Sequence, residues 1–514
     1  MTANRTEQNW LDSVRTLLLC GQVASAQTTL THALAEFPAS ADLRRVQAGI
    51  FQRAGHPRAA EQVLRELLKQ NAGDTASAFA LAELLKKECR SGAAAAVMRE
   101  CFAGAQNSSD VDLAIRAIEL LDDCDRKADA ASIAAVAIEA NPHDPRLHAY
   151  AGMLQIQLGK FEPAQQHYRF ALEHDERAWE WHIPISLSSA QHYENGEHSD
   201  FALFRNGLQH ESLSDKARAE LHFALGKSHD DVGNYEQAAR HFREGNAIAH
   251  RLTKWSRKAW RRTVEARLAS KPIACALETS TDFTPVFIVG MPRSGTTLLA
   301  TLLSHYPRVC NRGELKWIAR IAERPALNGT PDRASLQEAS ASYAAQARRD
   351  DAGDARWFID KQPLNFRYID LILALFPQAK IIHCRRDARD TALSLWMQCF
   401  LEEVQGYSYD FDDIAIVMSD CDRLMAHWRE LYPGSIRALR YETLVASPED
   451  VMSTLASWIG VPRREDGIMP TPSPGSAISS ASLWQARQPV NTQSVARWKN
   501  YVSHLPELLR IQEG

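Results

Sequence analysis

The sequence predicts an all-α array of helical repeats followed by an α/β domain with a parallel sheet. Three observations predict this. A turn-forming residue recurs with a period of 34 residues along the first half. An apolar, β-branched run at 286–289 leads through a glycine-containing turn into an apolar helix. A second strand-to-helix unit follows at 379–398.

The repeats come first along the chain. Gly21 is followed five residues later by Ala26, Gly55 by Ala60 and Cys89 by Ala94. Asp125 with Ala130, Gly159 with Ala164 and Gly233 with Ala238 continue the pattern. A glycine permits the tight reversal between two antiparallel helices, and a small alanine lets the second helix approach the first. Phe37-Pro38 and Asn141-Pro142 break the chain after second helices. The best-formed copy holds Leu225-Gly226, Gly233-Asn234-Tyr235 and Ala238-Ala239. These positions resemble tetratricopeptide repeats, whose stacked helix pairs present a surface for an extended peptide or protein. From about 176 to 215 the register is lost, and one irregular repeat is expected there. The basic segment Lys254 to Arg262 reads as a solvated helix face rather than a nucleic-acid site. The pattern fades from Ala269 to Thr284. The expected division is therefore a repeat domain over 1–270 and a second domain over 280–514.

Bulk composition removes several alternatives. The 514 residues are 45% hydrophobic and 24% charged, the balance of a folded protein with two or more domains. Lys plus Arg number 59 against 63 Asp plus Glu, so a net charge of −4 gives no global pull toward nucleic acid or membrane. No charged n-region with an apolar core opens the chain, and no apolar run reaches bilayer length; a cytoplasmic location is the expectation. Nine cysteines without a C-x-x-C pair read as free thiols. No His/Cys/carboxylate cluster has metal-ligand spacing, so no metal is expected.

The chemistry concentrates in Val286-Phe287-Ile288-Val289-Gly290-Met291-Pro292-Arg293-Ser294-Gly295-Thr296-Thr297. Strand, tight loop and helix aim backbone N–H groups and a helix N-terminus at an anion. Gly290 to Gly295 has Walker-loop spacing, but Thr296 stands where the lysine belongs, which argues against a kinase or NTPase. Further on, Lys380 to Cys384 reads as a strand, and Arg386 lies eight residues before Ser394. An arginine fork with a serine hydroxyl suits a phosphate. Arg385 and Arg389 are weaker candidates that pair with Asp387 and Asp390.

Pro292-Arg293-Ser294-Gly295-Thr296-Thr297 resembles the 5′-phosphosulfate loop of the sulfotransferases, most closely the tyrosylprotein sulfotransferases and bacterial relatives with tetratricopeptide repeats. The resemblance covers roughly 284–505. It implies a tetratricopeptide-like solenoid followed by a P-loop-like sulfotransferase domain, with 3′-phosphoadenosine 5′-phosphosulfate as donor and no metal. It places Arg293, Ser294, Gly295, Thr296 and Thr297 around the 5′-phosphosulfate, and Arg386 and Ser394 on the 3′-phosphate. Tyr441 resembles a nucleotide contact, as do Asn491 and Arg497 in the closing segment from Ser482 onward. Arg497 stands where the family has lysine, and Gln398 where it has a further basic residue. By the same resemblance Glu314 takes the acceptor proton, Lys361 steadies the bridging oxygen and Ser482 assists. A peptide or protein tyrosine is the implied acceptor, held in part by the repeats; a small molecule or glycan is the alternative. A homodimer is compatible with the resemblance.

Overall fold

A computed structural model describes residues 6–103, 105–270, 272–273, 276–278, 282–327, 331–350, 352–400, 403–462 and 490–512. They fall into two compact units, Met1–Tyr150 with Arg349–Asp351, and Ala151–Arg348 with Ala352–Gly514.

Helix pairs occupy every predicted repeat: Glu7–Leu19 with Val23–Glu36, Ala41–Arg53 with Pro57–Gln70, and Thr75–Lys87 with Ser91–Phe102. Val111–Asp123 with Lys127–Ala140, Pro145–Gln157 with Phe161–His174, and Asp215–Asp231 with Tyr235–Leu252 complete the set. All six turn residues, Gly21, Gly55, Cys89, Asp125, Gly159 and Gly233, have φ between 59° and 79°. Each first helix ends by one device. The residue after the turn point donates its N–H back to the fifth residue before it, as from Gln22 to Leu17 O at 2.9 Å and from Arg90 to Leu85 O at 2.8 Å. None of the six alanines five residues on is more than 1% exposed, so each closes the gap between its two helices.

First helices begin on a second repeated device. The side chains of Thr6, Ser40, Asp74 and Asp110 each accept a hydrogen bond from the backbone N–H three residues later. Such caps satisfy donors that the first turn cannot use. Between Glu176 and Gly207 the regular pairs give way to a short 3₁₀ turn and two short helices, Ile183–Ser189 and Ser199–Gly207.

The second unit holds the sheet. β1 (Thr284–Gly290), β2 (Val309–Asn311), β3 (Trp357–Asp360), β4 (Lys380–Arg385) and β5 (Ile436–Arg440) lie in the order β2-β3-β1-β4-β5. Every neighbouring pair is parallel. Side chains alternate across the strands, so both faces carry apolar residues and both are covered. Val286, Ile288, Ile382 and Cys384 pack with Leu299, Leu303 and Met452. On the opposite face Phe287, Val289 and Ile381 join Tyr343, Trp396 and Trp428 in a larger core.

That larger core also takes in Phe223, Phe242 and Trp260 from helices Asp215–Asp231, Tyr235–Leu252 and Arg257–Leu268. Phe242 lies 6.2 Å from the Trp396 ring, and Asn246 Nδ2 donates to Trp396 O at 2.9 Å. The basic side chains from Lys254 to Arg262 lie exposed, as expected of a solvated face, while the same segment turns inward at Trp260. Trp260 is 6% exposed and donates to Asp420 at 3.0 Å, while Arg257 pairs with Asp413 at 2.6 Å. Among the described residues no helix is long and apolar enough to cross a membrane, and none of the eight described cysteines is in a disulfide.

Candidate active site

All five strands run the same way, so their carboxyl ends share one edge, where open α/β sheets bind ligands. On that edge lie Gly290 at the end of β1, Asp360 at the end of β3 and Arg385 at the end of β4.

The glycine-rich turn is built by close approach. Gly290 has φ 134°, and any Cβ there would drive into the Cys384 carbonyl of β4. Gly295 has φ 91°, and its Cβ would stand 2.5 Å from Tyr441 Cδ2. Between them Arg293 is held at φ 71°, an unusual backbone for a side chain of its size. Ser294 is 2% exposed and donates its hydroxyl to Met291 O at 2.7 Å. Thr296 and Thr297 open the helix Thr296–Ser304, with Thr296 4% exposed.

Two arginines meet at this turn. Arg293 Nε donates to Ser394 Oγ at 2.9 Å, although 101 residues separate them. Arg386 Nη1 donates to Arg293 O at 3.0 Å, Nη2 donates to Ser494 O, and the guanidinium lies 5.0 Å from the Tyr441 ring centre. Among the described residues Arg386 Nε is buried without a hydrogen-bond partner. Burial, together with the charges of Arg386 and Arg497, pulls the Arg293 guanidinium down to about 10. Positive charge is thus packed against positive charge, an arrangement that an anion would relieve.

The segment after 490 crosses the same place. Asp390 accepts the backbone N–H of Ala496 at 2.7 Å and of Trp498 at 2.9 Å. Arg497 pairs with Asp230, whose other oxygen accepts the Tyr501 hydroxyl at 2.6 Å. Arg386, Asp390, Ser394, Ser494 and Arg497 line a cavity of about 10 Å³. A larger one of about 430 Å³ opens beside it, lined by Ser294, His383, Arg385, Arg386, Arg440 and residues of helix Phe411–Leu431. Burial holds His383 down to about 3, so it is neutral at physiological pH.

Glu314 and Lys361 meet at the ends of β2 and β3. Lys361 is 4% exposed and its Nζ pairs with Glu314 Oε1, while the Glu314 side chain is about one-third exposed. Asn491 is exposed, and its Oδ1 accepts the Gln493 N–H at 3.1 Å.

The chain therefore brings together Arg293, Ser294, Gly295, Arg386, Ser394, Tyr441 and Arg497 as one group, and Glu314 with Lys361 as a second on the same sheet edge. Ser482 and the Gln488-Pro489 part of the closing segment lie outside the described residues. Arg385 pairs with Asp422 at 3.6 Å rather than with Asp387, because the strand end turns it toward helix Phe411–Leu431. Arg389 lies 4.6 Å from the Trp498 ring centre. Sequence reasoning missed Asp230 and Ser494 and gave Asp390 only a pairing with Arg389, because their contacts span 100 residues or more.

Residues 285–466 match the model described as Sulfotransferase family. An uncharacterized protein of Aquifex aeolicus is 32% identical over 248 residues, covering 45% of this chain and 32% of that protein. The protein-tyrosine sulfotransferase of Drosophila melanogaster is 26% identical over 236 residues, covering 41% of this chain and 46% of that protein. The chain thus spans about a third of the first relative and just under a half of the second. Among solved structures, the sulfotransferase domain from the Synechococcus PCC 7002 olefin synthase is 20% identical, covering 46% of this chain and 98% of its own at a TM-score of 0.33. The stretch that carries the glycine-rich turn, both arginines and the Glu314–Lys361 pair is the one that matches the model described as Sulfotransferase family.

Proposed function

We propose that the protein transfers the sulfuryl group of 3′-phosphoadenosine 5′-phosphosulfate to a hydroxyl, with a tyrosine of a peptide or protein as acceptor. The observation that carries this reading is the convergence of Arg293, Arg386 and Ser394 from two separate strand–helix units. A donor with two separate phosphate positions needs such a pair of anchors, whereas a triphosphate loop needs a lysine at Thr296. In this reading the loop amides, Ser294, Thr296 and Thr297 hold the 5′-phosphosulfate, and Arg386 and Ser394 hold the 3′-phosphate. The cavity of about 10 Å³ admits one water at most, so the Ser494 carbonyl must give way when phosphate enters.

The acceptor oxygen attacks sulfur as the bond from sulfur to the bridging phosphate oxygen breaks. Glu314 takes the acceptor proton, and Lys361 places its charge on the bridging oxygen of the departing 3′-phosphoadenosine 5′-phosphate. Their mutual ion pair then has to open, with Lys361 turning to the donor as Glu314 turns to the acceptor. Tyr441 and Arg497 border the nucleotide, while Asn491 and Ser482 belong to the segment that closes over it. The helix pairs of the first half hold part of the acceptor. Tyrosine acceptance draws on the name of the Drosophila relative.

Calorimetry with 3′-phosphoadenosine 5′-phosphate, ATP and AMP tests the reading. Binding should depend on the 3′-phosphate, and Arg386→Ala should weaken it by a factor of about 10 to 100. Preference for ATP would overturn the proposal.

A further inference from the structure

We propose that Asp230, from the last helix pair of the repeats, is a positioning residue for the donor's 3′-phosphate, holding the Arg497 guanidinium where that phosphate binds. The inference rests on the sulfotransferase reading above. It adds to the donor site a residue outside 285–466, the stretch that matches the family.

Asp230 stands in the last turn of helix Asp215–Asp231, with Asp231 beside it. The carbonyls there form the negative end of the helix dipole, so a carboxylate is badly placed for helix stability alone. Each of the two is matched by a cation. Asp231 Oδ2 accepts Lys227 Nζ at 2.5 Å and the Tyr193 N–H at 3.0 Å, which ties the helix end to the irregular segment before it. Asp230 Oδ2 accepts Arg497 Nη2, and its Oδ1 accepts the Tyr501 hydroxyl at 2.6 Å. Both oxygens of a side chain only 8% exposed are thus committed to the segment after 490.

Arg497 is clamped from two directions. Asp390 fixes its backbone by accepting the N–H of the residue before it and of the residue after it. Ala496 takes φ 58° in that turn. Asp230 fixes the side chain, which lines the cavity shared with Arg386 and Ser394. The same helix pair grips the segment further on. Tyr235 accepts Asn500 Nδ2 at 3.2 Å and meets the Tyr501 ring at 5.1 Å, while Arg243 pairs with Glu507 at 2.8 Å.

Two effects of opposite sign meet at Asp230. A long arginine side chain loses rotamer freedom when an anion captures it, and a carboxylate that already holds it removes that loss from binding. Its negative charge, however, weakens the attraction of any anion nearby. A guanidinium has five N–H donors, so a carboxylate on Nη2 leaves others for a phosphate and the two need not compete. Placement should therefore outweigh charge, and the sign of the change in affinity decides.

Calorimetry on the full chain compares 3′-phosphoadenosine 5′-phosphate with AMP, which lacks the 3′-phosphate. Asp230→Ala should weaken binding of the first about tenfold and leave AMP within about twofold of wild type. In an Arg497→Ala background the same change should cost less than about twofold, since the group it places is gone. Asp230→Asn keeps the shape of the helix end and decides if the alanine variant does not fold; it should lose about threefold on the 3′-phosphorylated nucleotide alone. Equal losses on both nucleotides would mean general disorder of the site. Tighter or unchanged binding would mean that Asp230 competes with the phosphate or does not act on it. Any of these, or an undiminished loss in the Arg497→Ala background, overturns the inference while the functional reading stands. A wild-type chain that binds 3′-phosphoadenosine 5′-phosphate no better than AMP overturns both.

Discussion

Left-handed backbone occurs at the repeat turns and at the anion turn, and the two regions use it for different ends. At Gly21, Gly55 and Gly233 an added Cβ would meet nothing within 4 Å. These turns need only a residue that tolerates positive φ, and Cys89 and Asp125 occupy equivalent places at 59° and 60°. At Gly290 and Gly295 an added Cβ would strike the Cys384 carbonyl or the Tyr441 ring. There the hydrogen atom is required by neighbours as well as by dihedral angle. In the repeats glycine serves chain reversal; at the anion turn it serves proximity.

Substitutions can widen or close that difference. The largest effect is expected for Gly290→Ala, which would push β1 from β4 at the centre of the sheet; urea unfolding should register a loss above about 3 kcal/mol. Gly295→Ala comes next. It should cost about 2 kcal/mol and at least tenfold in affinity for 3′-phosphoadenosine 5′-phosphate. In a Tyr441→Ala background the same change should cost about 1 kcal/mol less, because the ring it strikes is gone. Equal costs in both backgrounds would show that dihedral strain, not the ring, demands the glycine. The smallest effects belong to the repeats. Gly55→Ala should cost about 1 kcal/mol and leave nucleotide binding unchanged, while Cys89→Gly should be neutral or stabilising by up to about 1 kcal/mol. A Gly55→Ala penalty as large as that of Gly290→Ala would erase the distinction.

This contrast also explains what the sequence made legible. A turn that depends on local dihedrals leaves a local mark, so all six repeat turns could be read from spacing. The capping oxygens of Thr6, Ser40 and Asp74 carry the same period but leave a fainter mark, because hydroxyl and carboxylate residues are frequent on any exposed helix surface. The strand–turn–helix unit at 284–304 was legible because an apolar run, glycines and hydroxyl residues sit side by side. Asp360 reads as a mere neighbour of Lys361, for its partner Tyr343 comes from another element. Arg497 was read as a nucleotide contact, yet nothing local announces Asp230, 267 residues away, as its partner. Nor does periodicity tell which side of a helix meets a sheet. The pairing of Phe242 and Trp260 with Trp396 and Phe366 therefore emerged only with the fold.

That last packing bears on how the gene can be cut. A fragment beginning at 280 would carry the glycine-rich turn and both arginines. It would also bare the side of Trp396 and Phe366 that Phe242 and Trp260 cover, and leave Arg497 without Asp230. Recombination that swaps the helices from Asp215 to Leu268 for those of another repeat protein would inherit the same defect. In heredity and in the expression vector alike, those three helices travel with the sheet, whatever their sequence period suggests about where they belong.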